Sequence, residues 1–217
     1  MIKTVSKTDL ETCIHRVRNA GDKERPDYKY NKASVLVLFI NDEIKKSSSI
    51  LMIKRKDNLR KHAGQIAFPG GRKENEDLNL EETAIRETKE EINIFKEHYS
   101  IVGNFPKFFT GTGYVVTPFL GIIKSKTNWQ KLLKPNLSEV EQIFFPPTDC
   151  LLLPQFHLRE KPPINSSMSM TWTINFDGKN IWGLTARVLV TISAGLGFRE
   201  FPPCLLYTSD AADDSYR

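Results

Sequence analysis

The segment 68–94 constrains this chain more than any other stretch. Pro69-Gly70-Gly71 stops a short apolar run at 66–68, and Asn79, a good N-cap with Glu82 three residues on, opens a helix over Leu80–Ile92. On that helix Glu87 and Glu91 are four residues apart and Glu90 is three from Glu87. The three carboxylates therefore project within roughly 100° of one another. Ala84, Ile85, Thr88 and Ile92 form the neighbouring face, which can pack on a sheet.

Clustered carboxylates repel, and a like-charged i,i+4 pair costs a few tenths of a kcal/mol. A hard divalent cation removes that penalty, because Mg²⁺ takes a few carboxylates together with water and phosphate oxygens. Adjacent glycines let backbone approach a metal or phosphate with no Cβ in the way, so a carbonyl of Gly70 or Gly71 is a candidate further ligand. Arg86, four residues before Glu90, can orient it. Taken alone, Glu-x-x-Glu-Glu also describes a solvated acidic helix; the spacing of its surroundings decides between the two.

The rest of the chain alternates strands and helices. Thr8 and Glu11 have capping-box spacing, Leu10, Ile14 and Val17 share a face, and Gly21 can close that first helix. Residues 22–32 read as a polar connector. β-rich runs at 34–40 and 49–53 follow, joined by a polar turn, then a loop at 57–65. Further strands are expected at 101–105, 114–123, 142–146 and 170–176, and a last helix from about Leu184. This is a mixed α/β chain without repeats, organised as an N-terminal helix and connector (1–32) and one domain (33–200). Residues 204–217 lack any amphipathic period and read as a non-native tail of translated vector or adapter sequence.

Bulk properties set limits. No apolar run approaches the ~20 residues that cross a bilayer. Cys13, Cys150 and Cys204 are odd in number and scattered, which fits neither a disulfide framework nor a zinc site and favours a reducing compartment. Asp9 and Glu11 argue against a mitochondrial transit peptide, and there is no secretory h-region. The expected location is intracellular, with cytoplasm, mitochondrion and peroxisome all open. Residues 1–61 hold 15 Lys/Arg against eight Asp/Glu, and the remainder 16 against 18. Solvated lysines explain most such excesses, although a basic front half also suits an anionic ligand. No aromatic-basic RNA motif accompanies it, so a nucleic-acid partner is not expected.

Gly71, Asp77, Arg86, Glu87, Glu90 and Glu91 together resemble the Nudix hydrolase box, G-x5-E-x7-R-E-U-x-E-E-x-G-U with U apolar. Glu87 and Glu91 match residue for residue. Asp77 replaces the first Glu, and eight residues separate it from Arg86 where the pattern has seven. Thr88 takes an apolar position, and Asn93 stands where the final Gly is usual. Asn tolerates the left-handed backbone a helix C-terminus needs there. The resemblance implies the Nudix fold, an α/β/α sandwich with a mixed sheet. It also implies Mg²⁺ or Mn²⁺ on Glu87, Glu91 and Glu90 with help from the Gly71 carbonyl.

Upstream, Leu51, Met52, Arg55, Arg60, Gly64 and Phe68-Pro69-Gly70-Gly71 are spaced like the element that marks coenzyme A pyrophosphatases within the superfamily. Ile53 replaces its Thr and Lys56 its small residue, and the one-residue insertion in the box is usual there. Phe108–Leu120, Glu139-Val140 and the run from Trp182 to Ala186 are similar to later segments, so the resemblance covers roughly residues 33–196. It implies hydrolysis of coenzyme A to 3′,5′-ADP and 4′-phosphopantetheine, with Glu90 or Glu139 as catalytic base. Arg55, Arg60, His62 and Gly70 would meet the phosphates, Arg through its planar fork, and Phe109 and Tyr114 are candidates to stack on adenine. Lys61 and His62 also admit plain surface and structural readings, Phe109 and Tyr114 a core one, and Glu139 a surface or N-cap one. A Nudix hydrolase of another nucleotide diphosphate (ADP-ribose, NADH) and a catalytically silent nucleotide-binding module are the alternatives. The expected partner is a small nucleotide, with a homodimer left open and no membrane.

Overall fold

The computed structural model describes residues 2, 4–20, 29–59, 62–124, 129–162 and 170–202. Gly21, Arg60, Lys61 and the tail 204–217 lie outside them. The strands are β1 (Asn31–Asp42), β2 (Ser47–Ile50), β3 (Met52–Arg55), β4 (Ile66–Ala67), β5 (Gly70–Arg72) and β6 (Tyr99–Asn104). They continue as β7 (Phe108–Phe109), β8 (Tyr114–Ile123), β9 (Val140–Phe144), β10 (Leu158–Glu160), β11 (Thr171–Phe176) and β12 (Lys179–Trp182). The helices are α1 (Lys7–Ala20), α2 (Leu80–Ile92), α3 (Trp129–Leu132), α4 (Thr148–Leu152) and α5 (Gly183–Gly195).

Side-chain parity along β1 sorts these elements into layers. Leu36 and Leu38 point to one face and Val37 and Phe39 to the other, and all four are fully buried. A strand buried on both faces must be covered on both sides. Leu36 and Leu38 join Leu51, Ile53, Ala84, Ile92 and Phe119 in a cluster beneath α2. Val37 and Phe39 join Leu10, Ile14, Met52, Leu120, Leu189 and Ile192 in a cluster that α1 and α5 close from the opposite side. The result is a helix–sheet–helix sandwich.

The central sheet is mixed. β1 runs parallel to β8 over nine paired positions and antiparallel to β2 and β5, while β6 and β7 pair antiparallel with β8. Two smaller antiparallel sheets, β4-β3-β9 and β10-β11-β12, complete the fold. Among the described residues no helix is long and apolar enough to cross a membrane.

Two expectations are corrected. The first helix is capped at Ser6 rather than Thr8: Asp9 N–H donates to Ser6 Oγ at 3.1 Å, while the Asp9 carboxylate accepts from Ser6 N–H and O–H at 2.8 and 2.6 Å. Both Ser6/Asp9 and Thr8/Glu11 have the required spacing, and the reciprocal bonds pick the earlier pair. Gly70-Gly71 does more than end a strand, since Gly70, Gly71 and Arg72 pair with Val35, Ser34 and Ala33 of β1. Pairing with a long central strand overrides the low strand propensity of glycine.

Candidate active site

α2 forms where its caps say it should. The Asn79 side chain accepts the Glu82 N–H at 3.0 Å, and Asn93 ends the helix at φ 59°, ψ 33° with its N–H on Lys89 O. Ala84, Thr88 and Ile92 turn to the sheet, and Glu91 turns with them. Three acidic residues that share a helix face thus have different surroundings. Glu91 is 2% exposed, the Glu87 side chain is largely covered, and the Glu90 side chain is half in solvent.

Glu91 is held from two sides. Gly70 N–H donates to its Oε2 at 3.0 Å and Arg55 Nη1 to its Oε1 at 3.1 Å. Arg55 arrives by strand alternation: Leu51 and Ile53 lie in the cluster beneath α2, and the next position of that parity delivers the guanidinium. Its other nitrogen, Nη2, is 3.6 Å from Glu139 Oε2. Glu139 precedes β9, which pairs with β3, and its carbonyl accepts the Lys56 N–H at 2.9 Å. Burial pushes the Glu91 carboxyl up to about 8 against the pull of Gly70 and Arg55, and Glu87 and Glu139 add to the rise. Burial raises Glu87 as well, with Arg86 opposing.

Glu87 lies against Gly71. A Cβ at that glycine would stand 2.7 Å from Glu87 Oε2 and nearer still to Oε1. Arg86 anchors the cluster: Nη1 donates to Glu87 Oε1 at 3.1 Å and to Glu90 Oε2 at 3.0 Å, and Nη2 donates to the Arg72 carbonyl at 3.0 Å. Nε and Nη2 clasp the Asp77 carboxylate at 2.9 and 3.1 Å. Asp77 also accepts from Thr83 O–H and Glu74 N–H, both at 2.9 Å, and is 6% exposed. Its work is to hold Arg86, and through Arg86 the carboxylates.

That role is open to test. The Arg86 guanidinium holds the Asp77 carboxyl well below the usual carboxylate range. Its contribution to stability is complete above the unfolded carboxylate pKa of about 4 and is lost as pH falls through the lower folded value. Asp77→Asn is expected to cost about 2–4 kcal/mol at neutral pH and to flatten the loss of stability on acidification. Urea unfolding at neutral and acidic pH checks both.

The structure brings Arg55, Gly70, Gly71, Glu87, Glu90, Glu91 and Glu139 into one contact network. Two other predicted residues make their contacts elsewhere. His62, at φ 55°, pairs Nδ1 with Gln65 Oε1 at 2.8 Å. Phe109 is buried edge-on to Tyr30, ring centroids 5.0 Å apart. Tyr114 opens β8 opposite Asn31, three register steps from Thr117, which lies level with Gly71 across Ser34. Arg60 is outside the described residues.

Whether a divalent cation fits can be judged from the donors. Glu87, Glu90 and Glu91 supply only oxygen, and the absent Cβ of Gly71 leaves a cradle in which the Glu87 carboxylate already rests. Among the described residues no three acidic, histidine or cysteine side chains close into a cage, and arginines lie on the carboxylate oxygens instead. Mg²⁺ suits such a set, because it keeps several waters and needs few protein carboxylates along with substrate phosphates.

A NUDIX domain model matches residues 30–166. The chain is 33% identical over 168 residues to the Pectobacterium atrosepticum protein named "Uncharacterized Nudix hydrolase NudL", covering 76% of this chain and 82% of that one. The Yersinia pestis (strain Pestoides F) protein of the same name is 32% identical over 161 residues, covering 73% and 76%. A MutT/nudix family protein from Enterococcus faecalis superposes with a TM-score of 0.49 at 17% identity, over 86% of this chain and 68% of that one. The chain belongs to the Nudix family. Nudix hydrolases act on nucleoside diphosphate derivatives and generally use divalent metal ions.

Proposed function

We propose that this Nudix chain hydrolyses the pyrophosphate bond of coenzyme A or its acyl derivatives to 3′,5′-ADP and the matching 4′-phosphopantetheine. The observation that carries the reading is the placement of Arg55 and Glu139 beside the box. The spacing Arg55, Gly64, Phe68-Pro69-Gly70-Gly71 resembles the coenzyme A pyrophosphatase element. In this chain Arg55, the first arginine of that element, reaches the buried Glu91 of the box at 3.1 Å.

Glu87, Glu91 and Glu90, with the Gly71 carbonyl, would hold Mg²⁺ or Mn²⁺, which supplies polarisation of the pyrophosphate and a lowered pKa for bound water. The chain's own groups do the rest. Glu139 and Glu90 are the candidate bases for the attacking water. Glu139 has the better position, 3.6 Å from Arg55 and close enough to Glu87 and Glu91 to raise both. Glu90 faces solvent with one oxygen on Arg86. Arg55 offers a planar fork to the phosphates and can exchange its carboxylate partners for them. Arg60, Gly70, His62 and Tyr114 are proposed for the substrate side.

The test is a metal-dependent hydrolysis screen over coenzyme A, acyl-coenzyme A, ADP-ribose, NADH and capped RNA, with products resolved by chromatography. Coenzyme A or an acyl form is expected to lead the others in kcat/KM by roughly tenfold or more. An ADP-ribose or NADH preference would move the chain to another Nudix substrate class.

A further inference from the structure

Asn136 joins the end of α2 to the loop that carries Glu139 through five hydrogen bonds. The last carbonyls of a helix have no partner within it. Here Glu91 O accepts the Asn136 N–H at 2.8 Å and Ile92 O accepts the Lys134 N–H at 3.1 Å. The Asn136 carbonyl then accepts Glu139 N–H and Val140 N–H at 3.0 and 2.8 Å. Its side-chain Oδ1 accepts Ser138 N–H at 3.1 Å and Ser138 O–H at 2.7 Å. A side chain that bonds backbone two residues on dictates the turn locally.

Asn136 therefore stands one hydrogen bond from the backbone of Glu91 and one turn from Glu139. The Glu139 side chain is 47% exposed, so packing does little to hold it. Its direction comes from the turn, from the Lys56 N–H on its carbonyl and from Arg55. Only the side-chain bonds of Asn136 are removable by substitution, since the backbone ones persist in any residue but proline.

We propose that Asn136 is a positioning residue, whose side-chain turn sets the Glu139 carboxylate relative to Glu91 and thereby the rate of the step that Glu139 serves. This rests on the reading of Glu139 as the base.

The experiment is a double-mutant cycle on the full chain, assayed with the substrate that leads the screen. Asn136→Ala is expected to lower kcat roughly ten- to a hundredfold with KM changed less than about twofold, as for a displaced catalytic group. Asn136→Asp keeps the acceptor and is expected to restore kcat to within about threefold. On a Glu139→Gln background Asn136→Ala should cost nothing further, because both remove the same function. An Asp variant as slow as Ala, parent activity in Asn136→Ala, or losses that multiply in the double variant would each overturn the positioning role while leaving Glu139 in place. Parent activity in Glu139→Gln would instead remove the base assignment, and this proposal with it. Should Asn136→Ala not fold, Ser138→Ala takes its place, with a kcat loss of roughly threefold or more at unchanged KM expected from the missing 2.7 Å donor. Parent kcat in that variant also overturns the role.

Discussion

Glu91→Gln is expected to lower kcat/KM by roughly a thousandfold, the scale of losing one contact that matters in the transition state, without unfolding the protein. The two halves of that expectation come from the same environment. Glu91 is 2% exposed, and burial has already raised its carboxyl to about 8, so the charged form is held at a cost. Glutamine has the same shape, and its carbonyl can still accept the Gly70 N–H. Arg55 loses one partner but keeps Glu139. In metal-free buffer the melting temperature should equal or exceed that of the parent, because the variant buries no carboxylate. Added Mg²⁺ should raise the melting temperature of the parent and leave that of the variant in place, since a ligand stabilises only the state that binds it. Near-parent turnover in Glu91→Gln would remove the site assignment altogether.

The sequence and the structure agree most closely at α2, for a local reason. Its caps, its apolar face and its carboxylates all sit within one continuous segment, so nothing distant has to be known. Arg86 shows where that legibility stops. Its bond to Glu90 follows from i,i+4 spacing, but its main partner is Asp77, nine residues earlier across a loop-to-helix turn. No periodicity describes that path, so Asp77 reads in sequence only as a mismatch to the box pattern.

Arg55 is intermediate. The run Leu51, Ile53, Arg55 alternates correctly for one face, yet the sequence does not say that α2 covers that face or that Glu139 closes it from the turn before β9. Asn136 carried a usable signal, Asn followed two residues later by Ser, which is ordinary turn chemistry. What makes it matter is the Glu91 carbonyl at the end of α2, far upstream in the chain but adjacent in space, and that is a tertiary fact. Phe109 went the other way, since an aromatic residue after a loop suits a ligand platform or the core equally, and packing against Tyr30 buries it.

The neighbouring glycines separate folding from catalysis. Gly70 has φ 156°, and a Cβ there would lie 2.6 Å from Val35 Cα and against the Ser34 carbonyl. Those atoms belong to β1, which is clamped between β5 and β8 and cannot yield. Gly70→Ala is expected to cost roughly 3 kcal/mol or more, a fall in melting temperature of about 6–12 °C for a domain of this size, or to leave the chain unfolded. At Gly71 the obstruction is the Glu87 carboxylate, the far end of a flexible side chain, and the backbone has no positive φ. Gly71→Ala should fold with a melting temperature within about 4 °C of the parent while kcat falls roughly a hundredfold, because the carboxylate must leave its cradle to admit the methyl group. Circular dichroism melts beside initial rates decide both. A Gly71→Ala protein as active as the parent would mean that Glu87 has no need of its seat on the glycine, and a well-folded Gly70→Ala protein would mean that the β1–β5 contact is looser than the geometry requires.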